Sequence, residues 1–319
     1  MAVFHILNCD MEWAHLSGGF RMSLRNSWLA TRFDAVPPNA KGLANMLASA
    51  TTISGVNGLV VHLSHSVHVF EIAFFRQLFG VIFMSALFLR GGLRPLITRR
   101  FGLHVLRSVL NVVAMLGFFY GLTLEPLAKV VSLSLSAPLF ATVGAVLFLR
   151  EKMTPHRWVA LLVGFAGGLI ILRPGIQVVS IGAIMVVLSN AFWAVALVVI
   201  KVLSRTESSV TIALYATILQ TPVALIFALF FWQTPTFEQL VWMAAIGIGG
   251  TVAQICLGEA FRHADATLVL PIDFTKLFWA SLIGYFFFDQ VPEIWIWVGG
   301  AVVFAAVFYN TYEDRGAAP

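Results

Sequence analysis

The chain reads as an all-α integral membrane protein with ten transmembrane helices arranged as two inverted five-helix repeats. Three observations predict this class: ten long apolar segments run almost without a break over 43–312, charges are scarce, and the basic residues favour one side of the segments. The 319 residues are 59% hydrophobic and 11% charged, where a soluble domain carries about 25% charged residues. A helix needs about 20 mainly apolar residues to cross a ~30 Å hydrocarbon core. The pattern places spans at 43–63, 67–89, 104–124, 127–149, 155–173, 179–200, 210–232, 239–261, 266–288 and 292–312, with links too short for a soluble domain. Five spans per group is an odd number, so the second group is inverted relative to the first.

With the N-terminus inside, 16 of the 20 Lys and Arg fall in inner stretches. They include Arg90, Arg94, Arg99, Arg100 and Arg107 after the second span, and Arg150, Lys152 and Arg157 after the fourth. Only Lys129 and Arg173 lie outside, and Arg76 and Lys276 lie within spans. This positive-inside bias predicts both termini in the cytoplasm, in a bacterial-type plasma (inner) membrane. It also accounts for the +5 net charge without a nucleic-acid partner.

Residues 1–42 have no apolar run, so no secretory signal is expected among them. They mix charges with Trp13, Trp28 and the Pro37-Pro38 pair, and are expected to be a disordered cytoplasmic extension. Two other readings stay open: an over-extended start with Met22 as the true beginning, and a membrane-surface anchor. The first repeat is expected over 43–175, the second over 176–312, and a cytoplasmic tail over 313–319.

Each span then carries its own polar or small residues. The first holds Asn57, and His62, His65 and His68 follow in a loop that is either solvated or, less plainly, metal-binding. A charge at a span centre costs about 2.5–3.5 kcal/mol, so Glu71 and Arg76 in the second span each need a reason. Glu71 is close enough to the outer end to reach water, whereas Arg76 is deeper and calls for a partner on another helix. The third span holds Asn111 and Tyr120, with Gly117 and Gly121 four apart; Gly164 and Gly168 recur at that spacing in the fifth, as do Ala301 and Ala305 in the tenth. Small residues at this spacing let helix backbones approach closely in lipid. Pro138 and Pro271 interrupt the fourth and ninth spans, as simple kinks or as broken helices at a central site. Asn190 and Trp193 stand one turn apart in the sixth span, offering an amide and an aromatic face to a planar or cationic solute. The seventh adds Tyr215, Gln220 and Pro222. The eighth adds Gln254, the lone intramembrane Cys256, and Glu259 with Arg262, an interfacial ion pair or a gating contact. In the ninth, Asp273 and Lys276 lie one turn apart, either as a structural ion pair or as a polar cavity wall with Asp273 able to carry a proton.

A shift of 139 positions lays Ala141 on Ala280, Phe148 on Phe287, Trp158 on Trp297 and Phe165 on Phe304. Inverted repeats around a site at mid-membrane are the architecture of an alternating-access transporter. The substrate-binding candidates are Arg76, Asn111, Tyr120, Asn190, Trp193, Tyr215, Gln254, Glu259, Asp273 and Lys276. No HExxH, GxSxG or P-loop occurs, so the usual parts of intramembrane hydrolases and ATP-driven pumps are missing. No catalytic residue, cofactor or metal is expected, and a non-transporting membrane enzyme or helper subunit is the competing class.

The stretches Phe70-Glu71-Ile72-Ala73-Phe74-Phe75-Arg76, Tyr120-Gly121-Leu122-Thr123 leading to Pro126, Pro138-Leu139-Phe140, Phe148-Leu149-Arg150-Glu151 and Ala264-Asp265-Ala266-Thr267 running into Pro271 stand in a characteristic order. In that order the chain resembles the drug/metabolite transporter superfamily, in its EamA-type ten-span branch, over 43–312. Within it, the arrangement looks most like the S-adenosylmethionine uptake carriers. The resemblance implies a central cavity between the halves, open alternately to either side without ATP, with small-molecule substrates ranging over amino acids, their derivatives, vitamins, nucleoside-like compounds and drugs. Export of amino acids or drugs is the alternative within the superfamily. Arg76 matches the arginine common in this family's second span. Proton or exchange coupling, and a monomer or homodimer, are the expected partnerships.

Overall fold

The computed structural model describes residues 37–88, 98, 100–137, 139, 140, 143, 155–173, 179–203, 207, 209–264 and 272–316. Met22, Cys9, Pro138, Pro271, the 148–151 stretch and the Arg262 side chain lie outside what it describes.

The described residues form ten helices: α1 (Pro38–Ser64), α2 (Val69–Phe88), α3 (Phe101–Leu124), α4 (Leu127–Ser134), α5 (Pro155–Leu172), α6 (Ile181–Leu203), α7 (Ser209–Leu229), α8 (Phe237–His263), α9 (Thr275–Phe288) and α10 (Ile294–Gly316). Four helical stretches, Pro38–Ser64, Phe101–Leu124, Ile181–Ile200 and Phe237–Ala260, are long and apolar enough to cross a membrane, and shorter apolar stretches lie in α5, α7, α9 and α10. α1 starts at Pro38, five residues before the expected span, because proline suits the first helical position, where its missing N–H has no bond to make. α8 starts on a capping box: Thr236 Oγ1 accepts from Gln239 N (3.3 Å) and Gln239 Oε1 accepts from Thr236 N (2.8 Å).

The main seams run between the two groups of five. α1 packs along α8, α3 along α6, α5 along α10 and α2 along α7. In the first, Gly42 meets Ala260 and Ala264, Ser49 Oγ donates to Ala253 O (2.8 Å), and Gly249 faces Val56. Position rises along α1 as it falls along α8, so the two run antiparallel. The α3–α6 seam repeats this arrangement: Gly121 meets Gly182 and Val186, and Gly182 meets Glu125. A shift of 139 carries Gly42 to Ile181, and carries Gly121 and Glu125 to Ala260 and Ala264, so the two seams are one contact made twice with the halves exchanged. That is the signature of inverted repeats, and it is far clearer in the contacts than in the residue identities.

The closest approaches use glycine. A Cβ at Gly167 would stand 2.9 Å from Val303 N and 3.0 Å from Gly299 O, and one at Gly299 would stand 2.7 Å from Gly167 O. Without a hydrophobic force between helices in lipid, such backbone contact is a principal source of association. The expected Gly164–Gly168 pair divides its duties: Gly164 presses on Leu139 of the fourth span, while Gly168 faces open space and Gly167 makes the α10 contact.

Candidate functional site

Arg76 lies where α2, α3 and α8 meet, between the two halves. Its Nη1 donates to Gln77 Oε1 (3.0 Å) and approaches Met115 Sδ of α3 at 3.2 Å. The guanidinium carbon stands 5.9 Å from the centre of the Phe119 ring. Sulfur and ring faces are soft electron donors that partly stabilise a cation. On the α8 side the space is made by Gly250: a Cβ there would lie 3.0 Å from Arg76 Nε and 3.1 Å from Nη2. One turn earlier, a Cβ at Gly247 would lie 2.7 Å from Phe79 Cβ and 2.8 Å from Arg76 O, so α8 touches the α2 backbone directly. Gln77 Nε2 donates in turn to Gln220 Oε1 of α7. A polar line therefore runs from Gln220 through Gln77 to Arg76, crossing from the second repeat to the first.

Asn111 and Gln254 extend this region. Asn111 is one turn from Met115 along α3, buried, with Oδ1 lacking a hydrogen-bond partner. Gln254 is one turn from Gly250 along α8 and is exposed, as is Gly258 one turn further on. The same face of α8 is thus closed against Arg76 at Gly247 and Gly250 and open at Gln254 and Gly258.

The other candidates lie elsewhere. Asp273 Oδ1 and Lys276 Nζ form an ion pair at 2.5 Å, and Ser54 Oγ of α1 donates to Lys276 O (3.4 Å). Asn190 turns toward the fourth span: its Nδ2 donates to Leu133 O (2.9 Å) and Ser136 Oγ (3.2 Å), where α4 ends. Leu133 O also accepts from Ser136 N (3.1 Å) and Ser136 Oγ (2.6 Å), so Asn190 adds a link from α6 to a helix end that already has local partners. Trp193 is half-buried one turn on. Tyr215 stacks on His104 (centroids 4.6 Å apart) beside Phe101, at the start of α3. Tyr120 is 37% exposed, about 100° round α3 from the buried Phe119, and lines a mainly apolar groove of about 400 Å³ with Phe70, Phe192 and Phe227. Glu259 lies 3.4 Å from His263 near the end of α8.

Two corrections follow. Glu71 does not reach water: it is 0% exposed, because the chain after α7 folds over it, and its Oε2 accepts from Gln233 N (3.2 Å). The three loop histidines do not converge: His62 meets Trp242 edge-on, His68 stacks on Phe231 at 3.9 Å, and His65 lines a cavity of about 490 Å³ with Glu125 and Asp289. Sequence reasoning passed over Gln77, Met115, Phe119 and Gly250. Gln77 carried a signal as an amide beside an intramembrane arginine; the other three are ordinary residues of an apolar helix.

A bundle of two five-helix repeats packed on each other along their length, helical throughout its described elements, is the architecture of a membrane transporter. The sequence matches the EamA-like transporter family twice, over 40–173 and 180–312, and the chain belongs to that family. Among curated relatives, a riboflavin transporter of Vibrio cholerae is 36% identical over 232 residues, covering 72% of this chain and 76% of its own. An S-adenosylmethionine uptake transporter of Rickettsia bellii is 29% identical over 284 residues, covering 89% and 98%. A solved crystal structure matches with a TM-score of 0.60 and 16% identity over 88% of this chain and 99% of its own, and so shares the fold.

Proposed function

We propose that this transporter is a secondary, ATP-independent, alternating-access carrier of a small polar organic metabolite, S-adenosylmethionine or a related amino-acid derivative, and not an enzyme. We place it in a bacterial inner membrane with both termini cytoplasmic, as a monomer or homodimer working by exchange or proton coupling. The observation that carries this reading is the polar line at the repeat seam, Gln220–Gln77–Arg76, continued by Asn111 and Gln254. Binding at a seam between inverted repeats lets one site face either side in turn. Arg76, Asn111 and Gln254 form the core of the proposed site. The Asp273–Lys276 pair forms a second polar wall, with Trp193, Tyr215, Tyr120, Asn190 and Glu259 further out.

Riboflavin is the second reading, favoured by the 36% identical relative. Counterflow separates the two. Proteoliposomes loaded with unlabelled S-adenosylmethionine are expected to accumulate the labelled compound above empty liposomes. Accumulation of labelled riboflavin alone, under matching conditions, selects the second reading.

A further inference from the structure

The charged groups of this bundle are mostly paired within the protein: Asp273 with Lys276, Glu125 with Lys129, Arg173 with Glu293. Arg76 differs. No carboxylate among the described residues pairs with it. Its contacts are an amide oxygen, a thioether sulfur and a ring face. Its Nε is out of contact with solvent and has no hydrogen-bond partner. An uncompensated cation at membrane depth is costly, and such residues mark substrate pathways. A guanidinium presents several donors in a fixed planar fork that matches a carboxylate. Nη1 is engaged by Gln77 and Met115, while Gly250 withholds the side chain that would otherwise press on Nε and Nη2; Arg76 keeps partial exposure, and the α8 face beyond it opens at Gln254 and Gly258.

We infer that Arg76 is the docking group for a carboxylate carried by the transported solute, so that the substrate class is the amino acids and their derivatives that retain the carboxylate. This rests on the carrier reading above and sharpens it. The anion completes the charge of Arg76 while the solute is bound, and Asn111 Oδ1, an unpaired acceptor one turn from Met115 along α3, would take a donor on the same solute. Riboflavin has no carboxylate and would leave the guanidinium uncompensated.

The test compares solutes that differ by that one group. Proteoliposomes bearing the full-length protein are assayed for counterflow of S-adenosylmethionine, riboflavin and a panel of amino acids, with decarboxylated S-adenosylmethionine as competitor. The solutes that exchange are expected to carry a carboxylate, and the decarboxylated form to compete at least tenfold more weakly, since a charge-assisted hydrogen-bond pair is worth about that factor or more. Arg76→Gln is expected to abolish the difference by weakening the parent alone. Arg76→Lys, which keeps the charge but loses the planar fork, should recover part of it. Equal competition by the decarboxylated form overturns the proposal. So does riboflavin exchange whose KM is unchanged in Arg76→Gln. If Arg76→Gln does not fold, the comparison of the two solutes on the unaltered protein decides. Failure of the carrier reading looks different: no solute in the panel enters above empty liposomes, and the docking role falls with it.

Discussion

Gly250 and Arg76 form a pair in which the absence of one side chain makes room for the other. Gly250→Ala places a methyl 3.0 to 3.3 Å from the guanidinium, closer than most neighbours tolerate. We expect the variant to insert and fold, with transport KM raised severalfold while the melting temperature in detergent changes little. Asn190 should behave in the opposite way. Its amide ties α6 to Leu133 O and Ser136 Oγ of the fourth span, so Asn190→Ala removes inter-helix hydrogen bonding worth about 0.5–1.5 kcal/mol. The expected outcome is a loss of thermal stability, with a smaller change in KM than Gly250→Ala produces, as suits a residue at the outer part of the proposed site. Asn190 was visible in the sequence as an amide in a membrane-embedded helix, whereas Gly250 was one more small residue of an apolar helix. Their roles differ because a neighbour sets each one: the guanidinium opposite Gly250, and the helix end opposite Asn190.

Among elements, the two ends of the bundle carry related carboxylate contacts. At the end holding the α1–α2 and α7–α8 links, Glu71 accepts from the Gln233 amide just ahead of α8. At the opposite end, Glu207, just ahead of α7, accepts from Thr98 Oγ1 (2.5 Å) and lies 3.6 Å from His104 Nε2, near the start of α3. Each contact joins one repeat to the other at its own mouth of the bundle, so its loss is expected to loosen that end. Glu71→Ala should favour opening at the first mouth and Glu207→Ala at the second. Opposite changes in cysteine labelling at His65 and Gln254 would show this, and parallel changes would not fit. The sequence made helix count and order legible because hydrophobic runs fix both. It could not show that Glu71 is covered, because depth along a helix says nothing of a loop folded over its end. Nor could it place Tyr120: an apolar chain gives no clear lipid-facing side, and only the packing of α3 shows that Phe119 is buried and Tyr120 exposed.

At the scale of the whole molecule, the exchanged seams explain how one bundle can serve two sides. The α1–α8 and α3–α6 contacts are the same contact made by opposite repeats, so a rocking that loosens one arrangement can be matched by its counterpart with little difference in energy. Tight glycine crossings such as Gly167–Gly299 act as the pivot in this account. Gly167→Leu drives a side chain into the α10 backbone and is expected to abolish folding, read as loss of the monodisperse species on size-exclusion chromatography. The 139-residue shift made the repeat legible from a few aromatic identities, while its inverted packing emerged only from the contacts.

The most direct test of alternating access is side-specific labelling of a single cysteine at Gln254, in protein with Cys9 and the buried Cys256 replaced. An impermeant maleimide would be applied to either side of oriented vesicles, with and without S-adenosylmethionine. The account predicts that labelling from one side dominates at first and that solute shifts it toward the other. Labelling confined to one side and indifferent to every solute that the protein binds would contradict it.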